Sequence, residues 1–157
     1  AHTFPKFTTF RAITPMKFPD NFTTAPGFDL AEDHIGPFYF LKADDSDENA
    51  VIHQNLFAFE VAARHCNEFD SVHGGVLMTF ADFALCRAAA EHYQVETCVT
   101  VSFSCDFLAG ASLGSLITCE PRVNKRTGSL VFVSGDLMVN DGIVFSFNSV
   151  VKRLPFK

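Results

Sequence analysis

Apolar and polar residues alternate with a period of two through the second half of the chain. From Val99 to Phe107 the odd positions are Val99, Val101, Phe103, Cys105 and Phe107, and the even positions are Thr100, Ser102, Ser104 and Asp106. Such alternation predicts a half-buried antiparallel strand. Three more strands are expected at about 114–124, 129–139 and 142–153. The breaks between them carry turn residues: Ala109-Gly110-Ala111-Ser112, Lys125-Arg126-Thr127-Gly128 and Asn140-Asp141-Gly142. Short turns between neighbouring strands mean hairpins, and so a meander. Two earlier segments, 36–41 and 56–64, read as strands as well, the second with Phe57, Phe59, Val61 and Ala63 on one side.

One segment has the helical period instead. From Gly75 to about Tyr93 there is no proline, and Leu77, Phe80 or Ala81, Ala84 and Ala88 recur at helical spacing. The expected class is therefore α+β: a curled antiparallel sheet of five to six strands wrapped around one long central helix.

The first forty residues differ from the rest. They hold five of the seven prolines (Pro5, Pro15, Pro19, Pro26 and Pro37) and eight of the nineteen phenylalanines. Proline breaks any long helix, and the aromatics need a surface to lie on. Residues 1–34 are read as an arm packed over the domain or a partner subunit, and 35–157 as the domain itself.

Composition narrows the function classes. A chain of 157 residues suits one domain, and 48% hydrophobic with 19% charged residues is globular rather than disordered. A net charge of −6 argues against nucleic acid or an anionic membrane as a partner. No apolar run approaches a membrane span, and no basic region followed by an apolar stretch marks an export signal, so a cytoplasmic location is expected. Cys66, Cys86, Cys98, Cys105 and Cys119 are odd in number, irregular in spacing and without a CxxC. Reduced thiols, rather than disulfides or a metal site, are expected.

The chemistry is concentrated in His65-Cys66-Asn67-Glu68-Phe69-Asp70-Ser71-Val72-His73-Gly74-Gly75, with Asp82 inside the helix that follows. His73 lies six residues after Asn67, and Asp82 nine after His73. This His-x-Asn, His-Gly-Gly and Asp spacing, with its element order, resembles the hotdog-fold acyl-CoA thioesterases of the phenylacetate-pathway type, over about residues 36–153. Asp70 departs from it, standing where glycine is common, although Asp tolerates a left-handed turn.

The resemblance implies hydrolysis of an acyl-CoA to a free acid and CoA, with no metal or organic cofactor. Gly74 would offer its backbone N–H at a helix N-terminus to the carbonyl oxygen that gains charge. His73 would orient the thioester or support that hole, and Asn67 would hold water or the carbonyl. Asp82 would activate water as a general base or attack directly to form an anhydride; both routes stay open. Thr100 aligns with a residue that positions the water, although its alternation puts it on the polar face, opposite Val99 and Val101. Gly75 and the turn Lys125-Arg126-Thr127, with Arg122 nearby, are the candidates for holding the substrate and its phosphates.

Plainer roles exist for each residue. Asp82 could bond to another helix, His73 could cap its own, Asn67 could close a loop, and Lys125 and Arg126 could be a solvated hairpin tip. Nine residues of helix span about 13 Å, so one chain cannot easily bring Gly74 and Asp82 to the same carbonyl. Two antiparallel helices about a twofold axis can, which predicts a homodimer with shared sites. In the resembled family such dimers commonly pair into tetramers. The alternatives are a hotdog dehydratase or hydratase, and a non-catalytic acyl-CoA-binding module.

Overall fold

The computed structural model describes residues 21–41, 55–90 and 96–155. Its elements in chain order are β1 (Phe22–Thr23), α1 (Leu30–Ile35), β2 (Tyr39–Leu41), β3 (Phe57–Glu60), α2 (Gly74–Ala89), β4 (Glu96–Phe107), β5 (Leu116–Cys119), β6 (Arg122–Arg126), β7 (Leu130–Val139) and β8 (Gly142–Pro155). A short 3-10 turn, Ala63–His65, connects β3 to the loop before α2. No helix among the described residues is long and apolar enough to cross a membrane.

The helix α2 is the centre of the molecule. Leu77, Phe80, Ala81, Phe83, Ala84, Leu85, Ala88 and Ala89 are buried around most of its circumference. A helix apolar on so many sides needs a surface that wraps it. The sheet supplies Phe57, Phe59, Ile117, Val131, Val133, Leu137, Phe145 and Phe147, all buried in the same core. Each such aromatic or branched side chain contributes about 1.5–3 kcal/mol when taken out of water.

The sheet has eight strands in the order β1-β2-β3-β5-β7-β8-β4, with β6 also on β7. All pairings are antiparallel. Of the two strands beyond the expected six, one is β1 and the other comes from dividing one expected segment. The stretch expected as a single strand at 114–124 is β5 and the start of β6, parted at Glu120-Pro121, because proline has no N–H to give the ladder. Cys119 pairs with Leu137 before the break, and Arg122 with Ser134 after it.

The helix also differs from its expected bounds. It starts at Gly74 and ends at Ala89, where Ala90 turns to an extended conformation. Arg126 supplies the stop: its guanidinium donates to the carbonyls of Ala88 (3.1 Å) and Ala89 (2.5 Å). Two carbonyls that a helix end leaves without partners are thereby satisfied. Tyr93, the expected end, lies outside the described residues.

Residues 1–20 of the expected arm also lie outside the described residues. In its remainder, β1 pairs with β2, and α1 is capped by Asp29, whose Oδ1 accepts from the N–H groups of Ala31 and Glu32. The far end of α1 is fastened by His65, only 2% exposed. Its Nδ1 accepts from the Ala62 N–H (2.9 Å), so Nε2 carries the proton and donates to the Ile35 carbonyl (2.6 Å). Arg64 adds a bond to the Gly36 carbonyl, and the edge of the Phe59 ring meets the imidazole.

Both ring nitrogens of His65 are thus used by a neutral imidazole. Burial holds its pKa below the usual 6.5. As pH falls the unfolded chain takes up this proton first, so His65 has no net effect above about pH 6.5 and weakens the fold below it. The melting temperature should therefore drop between about pH 7.5 and 5.5 by more in the wild type than in His65→Gln. Equal drops would contradict a buried neutral His65.

Candidate active site

The loop entering α2 is built from short-range bonds. Asn67 Oδ1 accepts from the N–H groups of Phe69 (2.9 Å) and Ser71 (3.3 Å), and the Asn67 N–H reaches the Ser71 carbonyl at 2.8 Å. Asp70 closes the loop in the left-handed region, φ 54°. Asn67 is exposed, and its carboxamide oxygen is committed to this turn.

His73 ends the loop as the N-cap of α2. Its Nδ1 accepts from the Gly75 N–H at 3.2 Å, and its carbonyl receives Val76 at 2.9 Å and Leu77 at 3.4 Å. The ring proton therefore sits on Nε2. The Gly75 N–H is occupied by this cap. The Gly74 N–H, the first of the helix, has no acceptor among the described residues, and it stands where the helix dipole is most positive.

Gly74 has a steric reason to be glycine. A Cβ there would come within 2.7 Å of Phe107 Cε1. The Phe107 ring lies across the helix start from the end of β4, 55% exposed, with the Phe145 ring edge-on at 5.1 Å. Alternation alone placed Phe107 in the core. What it covers is the residue with the open N–H.

Two turns along, Asp82 occupies the one face of α2 that the core leaves open. Gly75, Met78, Thr79, Asp82 and Cys86 follow each other there at helical spacing, none of them buried. Asp82 Oδ1 accepts from Thr100 Oγ1 at 2.5 Å. The expectation that Thr100 lies on the outer, polar face of its strand is corrected by this bond. A β-bulge between Thr100 and Ser102 shifts the pairing of β4 with β8, so inward and outward positions exchange along the strand. Before the bulge Cys98 and Thr100 face the helix, and Val99 and Val101 stand outside, 43% and 59% exposed; after it Phe103 and Cys105 face in.

Cys86, one turn beyond Asp82, has its Sγ 3.6 Å from the same Thr100 Oγ1. Burial and then the Asp82 carboxylate push its thiol up to about 12. On the flank, Glu32 of α1 has its carboxyl raised by burial, against the pull of Arg87, with Asp82 adding to the rise. Arg87 lies over the rings of Phe40 (4.5 Å), Phe83 (4.8 Å) and Phe28 (5.8 Å). A cavity of 280 Å³ opens here, lined by Glu32, Pro37, Phe38, Phe83 and Arg87 among others.

The expected residues thus fall into groups. His73, Gly74 and Gly75 form the start of α2, and Asp82 and Thr100 meet in its middle. Lys125, Arg126 and Thr127 sit at the other end of the helix. Arg126 is tied to α2, Thr127 Oγ1 closes its own turn with Leu130, Lys125 is exposed, and Arg122 lies 3.9 Å from Asp136. Sequence reasoning left Cys86 and Phe107 without a role. The spacing of Cys86, four residues after Asp82, was the available signal for a shared helix face.

A family model for the thioesterase superfamily matches residues 69–145, from the motif loop into β8. A Pseudomonas aeruginosa protein named "Putative esterase PA0474" is 30% identical over 137 residues, which are 87% of this chain and 94% of that one. The chain belongs to the thioesterase superfamily. Its fold is the hotdog fold of that superfamily, the long helix held in a curled antiparallel sheet. The Escherichia coli PaaI protein from the phenylacetic acid degradation operon matches it with a TM-score of 0.66 at 19% identity, over 81% of this chain and 86% of that chain. The Streptococcus mutans protein smu.793, solved bound to acetyl CoA, matches with a TM-score of 0.59 at 16% identity, over 65% and 82% of the two chains.

The contact between Gly74 and Phe107 in this thioesterase-superfamily chain gives a stability test. Gly74→Ala should cost about 1–3 kcal/mol in urea unfolding, because the new methyl group must displace the ring. Adding the second substitution to Phe107→Ala should cost less than half of that, since the ring is gone. Equal costs in both backgrounds would show that the ring does not set the identity of residue 74.

Proposed function

We propose that this chain is an acyl-CoA thioesterase, cleaving the thioester to a free acid and CoA with water activated by Asp82. The observation that carries this is Asp82 itself. A carboxylate stands on the open face of a helix buried elsewhere, held by Thr100, with an unused N–H at the start of the same helix.

The steps follow from the groups present. The thioester carbonyl oxygen rests against the Gly74 N–H, beside the exposed imidazole of His73. With Oδ1 occupied by Thr100, Asp82 takes a proton from water through Oδ2 as the water oxygen bonds to the carbonyl carbon. The oxyanion that forms is stabilised by the Gly74 N–H and the helix dipole. Collapse breaks the C–S bond, the sulfur leaves with the proton from Asp82, and the acid remains.

The site is proposed to join two chains. Gly74 and Asp82 are about 12 Å apart along one helix axis, too far to serve one carbonyl. A second α2, antiparallel about a twofold axis, supplies the missing group. The edge position of β4 supports such a pair: it is twelve residues long and unpaired on its outer side among the described residues. An unpaired edge of this length calls for a partner strand.

Thiol release from a panel of short, medium, long and aryl acyl-CoAs tests the assignment. Asp82→Ala should lose a hundredfold or more in kcat while remaining folded. Gly74→Pro should lose about 10²–10³-fold relative to Gly74→Ala, since proline suits the first helical position but removes the N–H. Turnover that survives Asp82→Ala, or bound acyl-CoA that the wild type never cleaves, would overturn the assignment.

A further inference from the structure

The three side chains in the middle of the site form a directed chain of hydrogen bonds. Asp82 Oδ1 lies 2.5 Å from Thr100 Oγ1, and Thr100 Oγ1 lies 3.6 Å from Cys86 Sγ. A threonine hydroxyl has one proton. Its shorter bond is to a carboxylate, which as an anion only accepts, so that proton is spent on Asp82. The contact with Cys86 then has one sense left, with the thiol as donor and the Thr100 oxygen as acceptor.

We infer that Cys86 is a positioning residue: its S–H donates to Thr100 Oγ1 and so fixes the Thr100 hydroxyl in the orientation that donates to Asp82. This role rests on hydrolysis at Asp82. Without the thiol, the hydroxyl could turn on its Cα–Cβ and C–O bonds, and Asp82 Oδ1 would lose its fixed partner. The water bound at Oδ2 would then meet a carboxylate that is free to rotate.

Two further observations fit. Cys86 is four residues from Asp82, so both side chains leave the same face of α2 and converge on one β4 residue. Burial beside the carboxylate keeps the thiol protonated through neutral pH. A protonated thiol can donate, and it does not compete with water for the acyl group, as a thiolate would.

The test uses kinetics and a spectroscopic readout. Cys86→Ala should lower kcat about fivefold to tenfold, the worth of one hydrogen bond, with KM within about twofold. Cys86→Ser, which keeps a donor, should recover most of that loss. In a Thr100→Val background Cys86→Ala should have no further effect, because the thiol acts only through the hydroxyl. The S–H stretching band of Cys86, isolated as the infrared difference between wild type and Cys86→Ser, should move to higher frequency in Thr100→Val.

The inference is overturned by an unmoved band, by equal losses in the Ala and Ser variants, or by a Cys86→Ala loss that persists with Thr100→Val. Asp82→Asn separates the two levels. If it retains turnover, the assignment of Asp82 falls and this role with it. If it is inactive while Cys86→Ala keeps full kcat and KM, only the role of Cys86 falls.

Discussion

The structure depends on the burial of α2. A sixteen-residue helix with eight buried apolar side chains cannot stand in water, and the sheet curls because it has to cover that helix. Coverage is not complete. The face carrying Gly75, Met78, Thr79, Asp82 and Cys86 stays open, and apart from Met78 its residues are polar or small. Both ends are secured by side chains: His73 caps the first turn, and Arg126 reaches from β6 to the last two carbonyls. The Asp82 carboxylate gains its position from this frame, since the core holds the helix in place on every other side.

A second constraint acts through β4. Strict alternation would have left Thr100 facing away from Asp82, with Val99 and Val101 packed inside. One bulge reverses this, turning a hydroxyl toward the carboxylate and two valines to the outer surface. The same irregularity therefore completes the polar cluster and leaves two valines on the outer surface of the strand.

Much of this was legible from the residues. The turn chemistry at Asn140-Asp141-Gly142 located the β7–β8 hairpin, the run without proline located α2, and the His73-Gly74-Gly75 motif marked where that helix starts. What escaped has physical causes. The bulge near Thr100 is set by pairing with β8 and leaves no mark in the alternation of β4 itself. The break at Pro121 was hidden because the apolar residues on its two sides still alternate. Helix α1 is only six residues long and lies among prolines, so its period is too short to see, although Asp29 before Leu30 is an ordinary capping signal. Arg126 reads as a solvated charge until the fold brings the end of α2 beneath it. Phe107 reads as core because sequence does not distinguish a ring that packs inside from one that lies over a glycine.

The central claim is that one site takes Gly74 from one subunit and Asp82 from another. Subunit complementation addresses it directly. Asp82→Ala and Gly74→Pro chains, each inactive alone, are mixed in equal amounts and allowed to exchange subunits. Half of the dimers then contain one of each, and in those one of the two sites has both intact groups. The account predicts recovery to about a quarter of wild-type activity. If the mixture stays as inactive as its components after exchange has been demonstrated, each site lies within a single chain and the account is wrong.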